Sequence, residues 1–204
     1  MTAHLTADAL RVARQLTGLS QREVEQLTGV ARKSLVAAET AETAAKLRQT
    51  TLSRLRSFYE DQGIEFLGTI DVTTGTAKGL GARWRMPDQL PPSGGERPAV
   101  HSEPTGLAFS AARALLDVKQ SEVSRLVSMP EHRIRVLEAG LEKNATAHTR
   151  LRAFYESNGV EFLGWGDVSR GVFYGVGVRW QLEVDSDRIS CLRASSEGSR
   201  HGYP

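Results

Sequence analysis

The side chains of this sequence best suited to chemistry are basic and amide groups at the predicted starts of short helices. Gln21 and Arg22 begin one such helix, and Arg32 and Lys33 begin the next. Amide, guanidinium and ammonium groups bind phosphate oxygens and the acceptor edges of guanine. These residue types favour nucleic-acid binding over covalent catalysis. To bind, they require a fold that exposes the first residues of both helices to solvent.

The sequence lacks the residue patterns for metal binding, for a phosphate-binding loop and for nucleophilic catalysis. The five histidines stand at positions 4, 101, 132, 148 and 201, without metal-ligand spacing, so we predict no metal site and no cofactor. The glycines near 79–81 and 175–177 lack the Lys-Ser/Thr of a phosphate-binding loop and are better explained as turns. No nucleophile stands beside a base, and the single Cys191 makes no intramolecular disulfide. We therefore predict that the chain is not an enzyme.

An internal duplication organises the chain. Segments 55–72 and 151–168 are identical at 12 of 18 positions with an offset of 96. Upstream the offset becomes 99, so the first repeat has three extra residues between Thr40 and Arg48. Residues that match at this second offset include Arg14, Gln21, Glu23, Val24 and Glu39 with Arg113, Gln120, Glu122, Val123 and Glu138. Two long copies predict two similar domains rather than a solenoid.

Composition marks the boundaries. Residues 86–105 hold five of the seven prolines, which is typical of an extended linker. We predict a first domain at 1–85, a second at 106–182 and a loosely ordered polar tail at 183–204. No apolar run approaches the ~18 residues of a membrane helix, and the start lacks a secretory signal. We therefore expect no membrane partner and a cytoplasmic protein.

Each repeat is predicted to be mainly α with a small β component. The apolar periodicity and capping signals of the first repeat indicate helices at about 6–16, 20–28, 31–39 and 51–62. The second of these helices is expected to bury Val24 and Leu27.

The strand predictions follow each set of helices, at 64–67 and 82–85, and again at 160–163 and 177–181. A lone hairpin is marginal in water, so its aromatic residues should pack on their own helices or on a partner hairpin. Pairing of the two hairpins within one chain is a hypothesis.

The segment from Gly18 to Glu39, Gly-Leu-Ser-Gln-x-Glu-Val-x-x-Leu-x-Gly-Val-x-x-x-x-Leu-x-x-x-Glu, resembles the lambda-repressor-like (Cro/repressor, xenobiotic-response-element) helix-turn-helix family. The resemblance covers about residues 6–62. It implies two helical helix-turn-helix domains, each followed here by a β-hairpin. In such domains one helix crosses the DNA backbone and the next enters the major groove. It also implies double-stranded DNA as the partner, association with the nucleoid and a regulator of bacterial or phage type.

The family's binding roles transfer to the matching positions. Gln21, and Gln120 in the second repeat, are expected to contact phosphate, and the exposed start of each following helix is expected to face bases. Arg32 is suited to a guanine edge or a phosphate, and the sequence leaves both open. The full predicted DNA-binding set is Gln21, Arg22, Arg32, Lys33, Ser34, Ala37, Gln120, Ser121, His132, Arg133 and Arg135.

The second repeat departs from this pattern. Asp117 replaces the glycine that ends the first helix, and Lys119 replaces the capping serine, which predicts loss of the capping box. Ser128 replaces the turn glycine, a strained choice, and Pro130 begins the third helix. Glu131 repels phosphate but can accept from a cytosine amino group. The second repeat therefore reads a different half-site or has a structural role.

We expect a sequence-specific transcriptional regulator whose two units act as a covalent pseudo-dimer on an asymmetric operator, with homodimerisation through the hairpins as a further prediction. Repression is the default mechanism, and activation is equally compatible. The alternative is a protein-interaction module, an antitoxin or anti-regulator, with the hairpin aromatics as its interface.

The net charge of +2 hides two basic segments: 11–56 has nine basic and four acidic residues, and 107–152 has eight and five.

Overall fold

The computed structural model describes residues 5–40, 47–88, 101–141, 144–167 and 170–182. This part of the chain holds eight helices and one four-stranded antiparallel sheet, a mixed α/β architecture. None of these helices is long and apolar enough to span a bilayer. The predicted tail, Cys191 and most of the predicted linker lie outside the described residues.

The elements follow the same order in both repeats. The first repeat contains α1 (Ala7–Leu16), α2 (Gln21–Thr28), α3 (Arg32–Ala38), α4 (Gln49–Asp61), β1 (Ile64–Ile70) and β2 (Ala77–Trp84). The second contains α5 (Phe109–Leu116), α6 (Gln120–Leu126), α7 (Glu131–Glu138), α8 (Ala145–Ser157), β3 (Val160–Asp167) and β4 (Val172–Trp180). The strands are longer than predicted, because their Gly- and Thr-rich parts pair through the backbone without apolar alternation.

Capping fixes the start of the second helix in each repeat. At α2 the Glu23 carboxylate accepts from the Ser20 backbone N–H at 2.8 Å, and the Ser20 hydroxyl accepts from the Glu23 N–H at 3.3 Å. These hydrogen bonds hold the pKa of the Glu23 carboxyl below its usual value, and the bond from the Ser20 backbone N–H has the larger effect. The prediction that the second repeat loses this box is half wrong. There the Glu122 carboxylate still accepts from the Lys119 N–H at 2.7 Å, while an ammonium offers no acceptor in return.

Replacing Lys119 by serine is expected to complete this box and raise the free energy of unfolding by about 1 kcal/mol. Urea unfolding followed by circular dichroism measures the change. Ser20→Ala is the matched control and should lower the free energy by a similar amount. An unchanged midpoint for Lys119→Ser, beside a lowered one for Ser20→Ala, would contradict the prediction.

Left-handed residues end the helices as predicted. Gly29 closes α2 at φ 66°. Asp117 takes the same region at φ 58° and Ser128 at φ 47°, where the first repeat has glycine. A non-glycine residue there costs roughly 1–2 kcal/mol. The second repeat therefore keeps the turn geometry at an energetic cost.

The hypothesis that the two hairpins pair within the chain is confirmed. The strand order is β1-β2-β4-β3, so the central pair joins the repeats. Ala82 lies opposite Val178, and these two residues are equivalent at the offset of 96. The flanking pairs are Gly81 with Arg179 and Arg83 with Gly177. This register is symmetric about the central pair, as in a two-fold homodimer interface.

Close approach of the two central strands requires glycine. A Cβ on Gly81 would lie 2.2 Å from the Val178 carbonyl oxygen and 2.5 Å from the Arg179 Cα. A Cβ on Gly177 would lie 2.4 Å from the Ala82 carbonyl oxygen. These neighbours are backbone atoms, which cannot move aside without breaking the pairing. The inner edges of both hairpins are thus occupied within the chain, and a homodimer through the hairpins would have only the outer strands.

One hydrophobic core serves both repeats, and a buried arginine crosses it. Helices α1 and α5 pack on each other and on the sheet. Arg11 on α1 donates from Nε to the Ala114 carbonyl at 2.8 Å and from Nη1 to the Glu39 carbonyl at 2.6 Å. Its Nη2 donates to Asp8 at 2.7 Å and to the Leu115 carbonyl at 3.4 Å. Arg11 therefore ties the end of α3 to the end of α5.

The symmetry between the repeats is broken at this crossing. Asp8 also accepts from the Trp180 indole N–H at 3.0 Å. The equivalent positions of Asp8 and Arg11 in the second repeat are Leu107 and Ser110, which offer neither charge. The Trp84 indole N–H, the counterpart of that of Trp180, accordingly has no hydrogen-bond partner among the described residues.

The described end of the predicted linker lies on both repeats. The His101 ring stacks on Trp84, with ring centroids 3.5 Å apart. Two residues later, Glu103 exchanges two backbone hydrogen bonds of 2.8 Å with Phe173 on β4. This end of the segment is thus held by the first repeat and by the second.

Candidate nucleic-acid interface

Each repeat presents a pair of short helices joined by a tight turn. Residues 29–31 connect α2 to α3, and residues 127–130 connect α6 to α7. Val24 and Leu35 bury the inner side of the first pair. Val123 and Ile134 do the same in the second. The first residues of α3 and α7, Arg32 and Glu131, remain exposed outside this packing.

A three-residue network fixes the first helix pair. The Glu39 carboxylate accepts from Arg14 Nε at 2.6 Å and Nη2 at 3.0 Å. It also accepts from the Gln21 amide at 2.9 Å. Arg14 lies on α1, Gln21 begins α2 and Glu39 ends α3, so one carboxylate sets the mutual position of three helices. Because the carboxylate is buried, its three donors satisfy it where water does not.

The second repeat repeats the network with the same residue types. Arg113 donates to the Glu138 carboxylate from Nε at 2.5 Å and Nη2 at 3.1 Å, and the Gln120 amide donates at 2.7 Å. Burial lowers the pKa of Arg113, but the hydrogen bond and charge of Glu138 outweigh it and raise the pKa overall. Gln21 and Gln120, predicted as phosphate contacts, thus use an amide N–H inside the fold.

A tyrosine lies near each network. Burial raises the pKa of Tyr59, and the charge of Glu39 adds to the rise. Burial and the charge of Glu138 raise the pKa of Tyr155 in the same way. Both phenols stay neutral at physiological pH, so they add no charge beside the helix pairs.

Three predicted residues of the first repeat are exposed basic side chains, one at the start of α2 and two at the start of α3. Arg22, Arg32 and Lys33 are exposed, and their side chains make no hydrogen bond or ion pair with any described residue. Ser34 and Ala37 are half-buried. The Arg32 backbone N–H donates to the Glu25 carboxylate at 2.9 Å. The start of α3 is therefore capped by a carboxylate, and the free positive charges are on side chains.

The matching surface of the second repeat is mixed in charge. Ser121, His132 and Arg135 are exposed, whereas Arg133 is half-buried and partnered within the chain. Arg135 Nη2 lies 3.9 Å from the Glu131 carboxylate, an exposed pair. The two helix pairs therefore share a scaffold and differ in what they present.

Two leucines correct the predicted packing of the second helix. Leu27 is 62% exposed, although the sequence predicted it to be buried with Val24. The inner side of α2 is instead formed by Val24 and Thr28, one helical turn apart. Leu126 at the equivalent position of α6 is 49% exposed. Both repeats thus present one leucine outward beside the turn.

The sequence reasoning also missed a basic residue outside the two paired helices. Arg54 on α4 is exposed, and its guanidinium Nη2 lies 3.7 Å from the place where a Cβ on Gly29 would stand. It therefore lies beside the turn between α2 and α3. Its identity with Arg150 at the offset of 96 was the available signal.

No protein-family model, curated protein or solved structure matches this chain. In the part of the chain that the structure describes, no three His, Cys, Asp or Glu side chains come together as a metal site.

Proposed function

We propose that this protein is a sequence-specific, double-stranded DNA-binding transcriptional regulator in which the two helix pairs act as halves of one pseudo-dimer. The observation that carries the proposal is the symmetric register of β2 and β4 about Ala82 and Val178. It relates two similar helix pairs by an approximate two-fold axis. Two helix pairs related in this way fit two half-sites on one duplex, as in dimeric helix-turn-helix proteins.

The charge of the first helix pair supports the same proposal. Arg22, Arg32 and Lys33 are free to bind outside the chain. Each phosphate that such a group neutralises releases counterions and adds salt-dependent affinity. Glu131 and His132 replace Arg32 and Lys33 in the second repeat. The proposed operator therefore has two unlike half-sites.

The sheet sets the distance between the half-sites in this proposal. A flexible tether between independent domains would allow many spacings. Here β2 pairs with β4 and Arg11 bridges α1 to α5, so both helix pairs belong to one packed unit. We expect one preferred half-site spacing.

Selection of bound duplexes from a random pool tests the proposal. We expect enrichment of one asymmetric motif and an affinity that falls steeply with salt. Arg32→Gln should weaken binding about 10- to 100-fold if Arg32 pairs with guanine, since such a pair discriminates by about 1–3 kcal/mol. Arg56→Gln is the control, because Arg56 pairs with Glu60 on α4. Failure of the wild type to enrich any motif would overturn the proposal.

A protein-interaction module remains the second candidate, and the exposed Leu27 and Leu126 favour it. Two of the hairpin aromatics expected to form its interface, Trp84 and Trp180, lie in the core instead. Charge reversal of Arg32 and Lys33 distinguishes the candidates. DNA binding should be lost under the first function, while binding of a protein partner should survive under the second.

A further inference from the structure

An arginine on the fourth helix of each repeat is exposed and lacks a polar partner among the described residues. Arg54 on α4 and Arg150 on α8 are exposed, and neither makes a hydrogen bond or ion pair with any described residue. Two residues further along, Arg56 donates to Glu60 and Arg152 donates to Glu156, each at 2.7 Å. Each helix thus provides a carboxylate for one arginine and none for the other.

The position of Arg54 places it on the predicted binding side. Its guanidinium lies beside Gly29, whose left-handed conformation turns the chain from α2 into α3. The exposed Arg32 begins α3 three residues later. A guanidinium here adds positive charge at the junction of the two helices while it stays off the face of α3 itself.

Comparison of the repeats separates this arginine from the base-facing residues. Where the first repeat has Arg22, Arg32 and Lys33, the second has Ser121, Glu131 and His132. Arg54 and Arg150 are identical at their shared position. Groups that read bases must differ when the half-sites differ, whereas groups that bind the sugar-phosphate backbone carry no sequence information and need not change.

We propose that Arg54 and Arg150 are equivalent contacts to the phosphodiester backbone, one at each half-site, and that they hold both helix pairs in the same register on unlike sequences. The inference rests on the proposed function. The ligand of Arg54 is the phosphodiester oxygens beside the α2–α3 turn, and the shared sequence position of Arg150 on α8 assigns it the equivalent ligand at the second half-site. A guanidinium suits this ligand, because its planar donors match two phosphate oxygens at once.

The test uses the full chain, the enriched duplex and an unrelated duplex of equal length, with fluorescence anisotropy across about 50–200 mM salt. Each lost phosphate contact should reduce the slope of log affinity against log salt by about 0.9, so the Arg54→Gln/Arg150→Gln double variant should lose about 1.8. Affinity for both duplexes should fall by the same factor, and the enriched motif should stay the same. Arg56→Gln/Arg152→Gln is the matched control and should leave the slope unchanged.

Three results would overturn the inference. If the double variant keeps the wild-type salt slope, Arg54 and Arg150 do not contact phosphate, and the proposed function is unaffected. A changed base preference in the double variant would assign these arginines to base reading. A wild type that enriches no motif would overturn the proposed function as well. Arg54→Lys/Arg150→Lys checks the charge, since it should retain the salt slope that the glutamines lose.

Discussion

Gly81→Val is expected to separate the two repeats and to lower the free energy of unfolding by about 3 kcal/mol or more. The new Cβ would stand 2.2 Å from the Val178 carbonyl oxygen and 2.5 Å from the Arg179 Cα. Because both are backbone atoms of the paired strand, relief requires β2 to leave β4. Urea unfolding measures the loss, and under the proposed function DNA binding should weaken with it, since the two helix pairs would no longer be held together.

Gly75→Asn provides the control for this substitution. Gly75 lies at the tip of the first hairpin at φ 71°, and a Cβ there would have no neighbouring atom within 4 Å. Asparagine tolerates the left-handed region, so the change should cost far less than Gly81→Val. Gly177→Val should match Gly81→Val, because the two glycines are related by the approximate two-fold axis. A Gly81→Val protein with a wild-type midpoint would contradict this account of the central strands.

Arg11→Met carries the second large effect and should lower the free energy of unfolding by about 3–5 kcal/mol, the usual result of removing one partner of a buried ion pair. The Arg11 side chain is 7% exposed. Methionine fills much of its volume but removes the guanidinium charge from the Asp8 carboxylate, which keeps the hydrogen bond from the Trp180 indole N–H. It also leaves the Ala114 and Glu39 carbonyls without this donor.

Arg56→Met is the matched control for this loss. Arg56 and Glu60 form a partly exposed ion pair one helical turn apart, and such pairs contribute about 0.3–0.5 kcal/mol to the free energy of unfolding. Neutralising the Asp8 carboxylate, with Asp8→Asn in the Arg11→Met background, should recover part of the loss, because the buried charge that lost its guanidinium partner is removed. No recovery would show that packing, rather than the Asp8 charge, causes the destabilisation.

The helices were accessible from sequence because their signals are local. Ser20 and Glu23 lie three residues apart, and Gly29 marks a turn by itself. The sheet was harder to predict. Gly79 and Gly81 carry no apolar alternation, and their value in β2 depends on a strand almost 100 residues away. The role of Arg11 could not be predicted for the same reason, since its acceptors on α5 are distant in the chain.

The candidate site shows the same division. Arg14, Gln21 and Glu39 matched their counterparts in sequence, but only the fold brings the three side chains together around one carboxylate. Leu27 fits the apolar spacing of a helix and is nevertheless exposed, because only Val24 and Thr28 of α2 are buried against the fold. Arg54 lies outside the helix pair and became a candidate through its position beside Gly29.

The unequal tryptophans give the molecule a direction. Trp180 has a carboxylate partner and Trp84 has none among the described residues, so the two halves related by the approximate axis are distinguishable even within the shared core. A symmetric homodimer looks the same from upstream and from downstream. A chain built in this way has a front and a back, and on a duplex it would present a different surface to whatever approaches from each side.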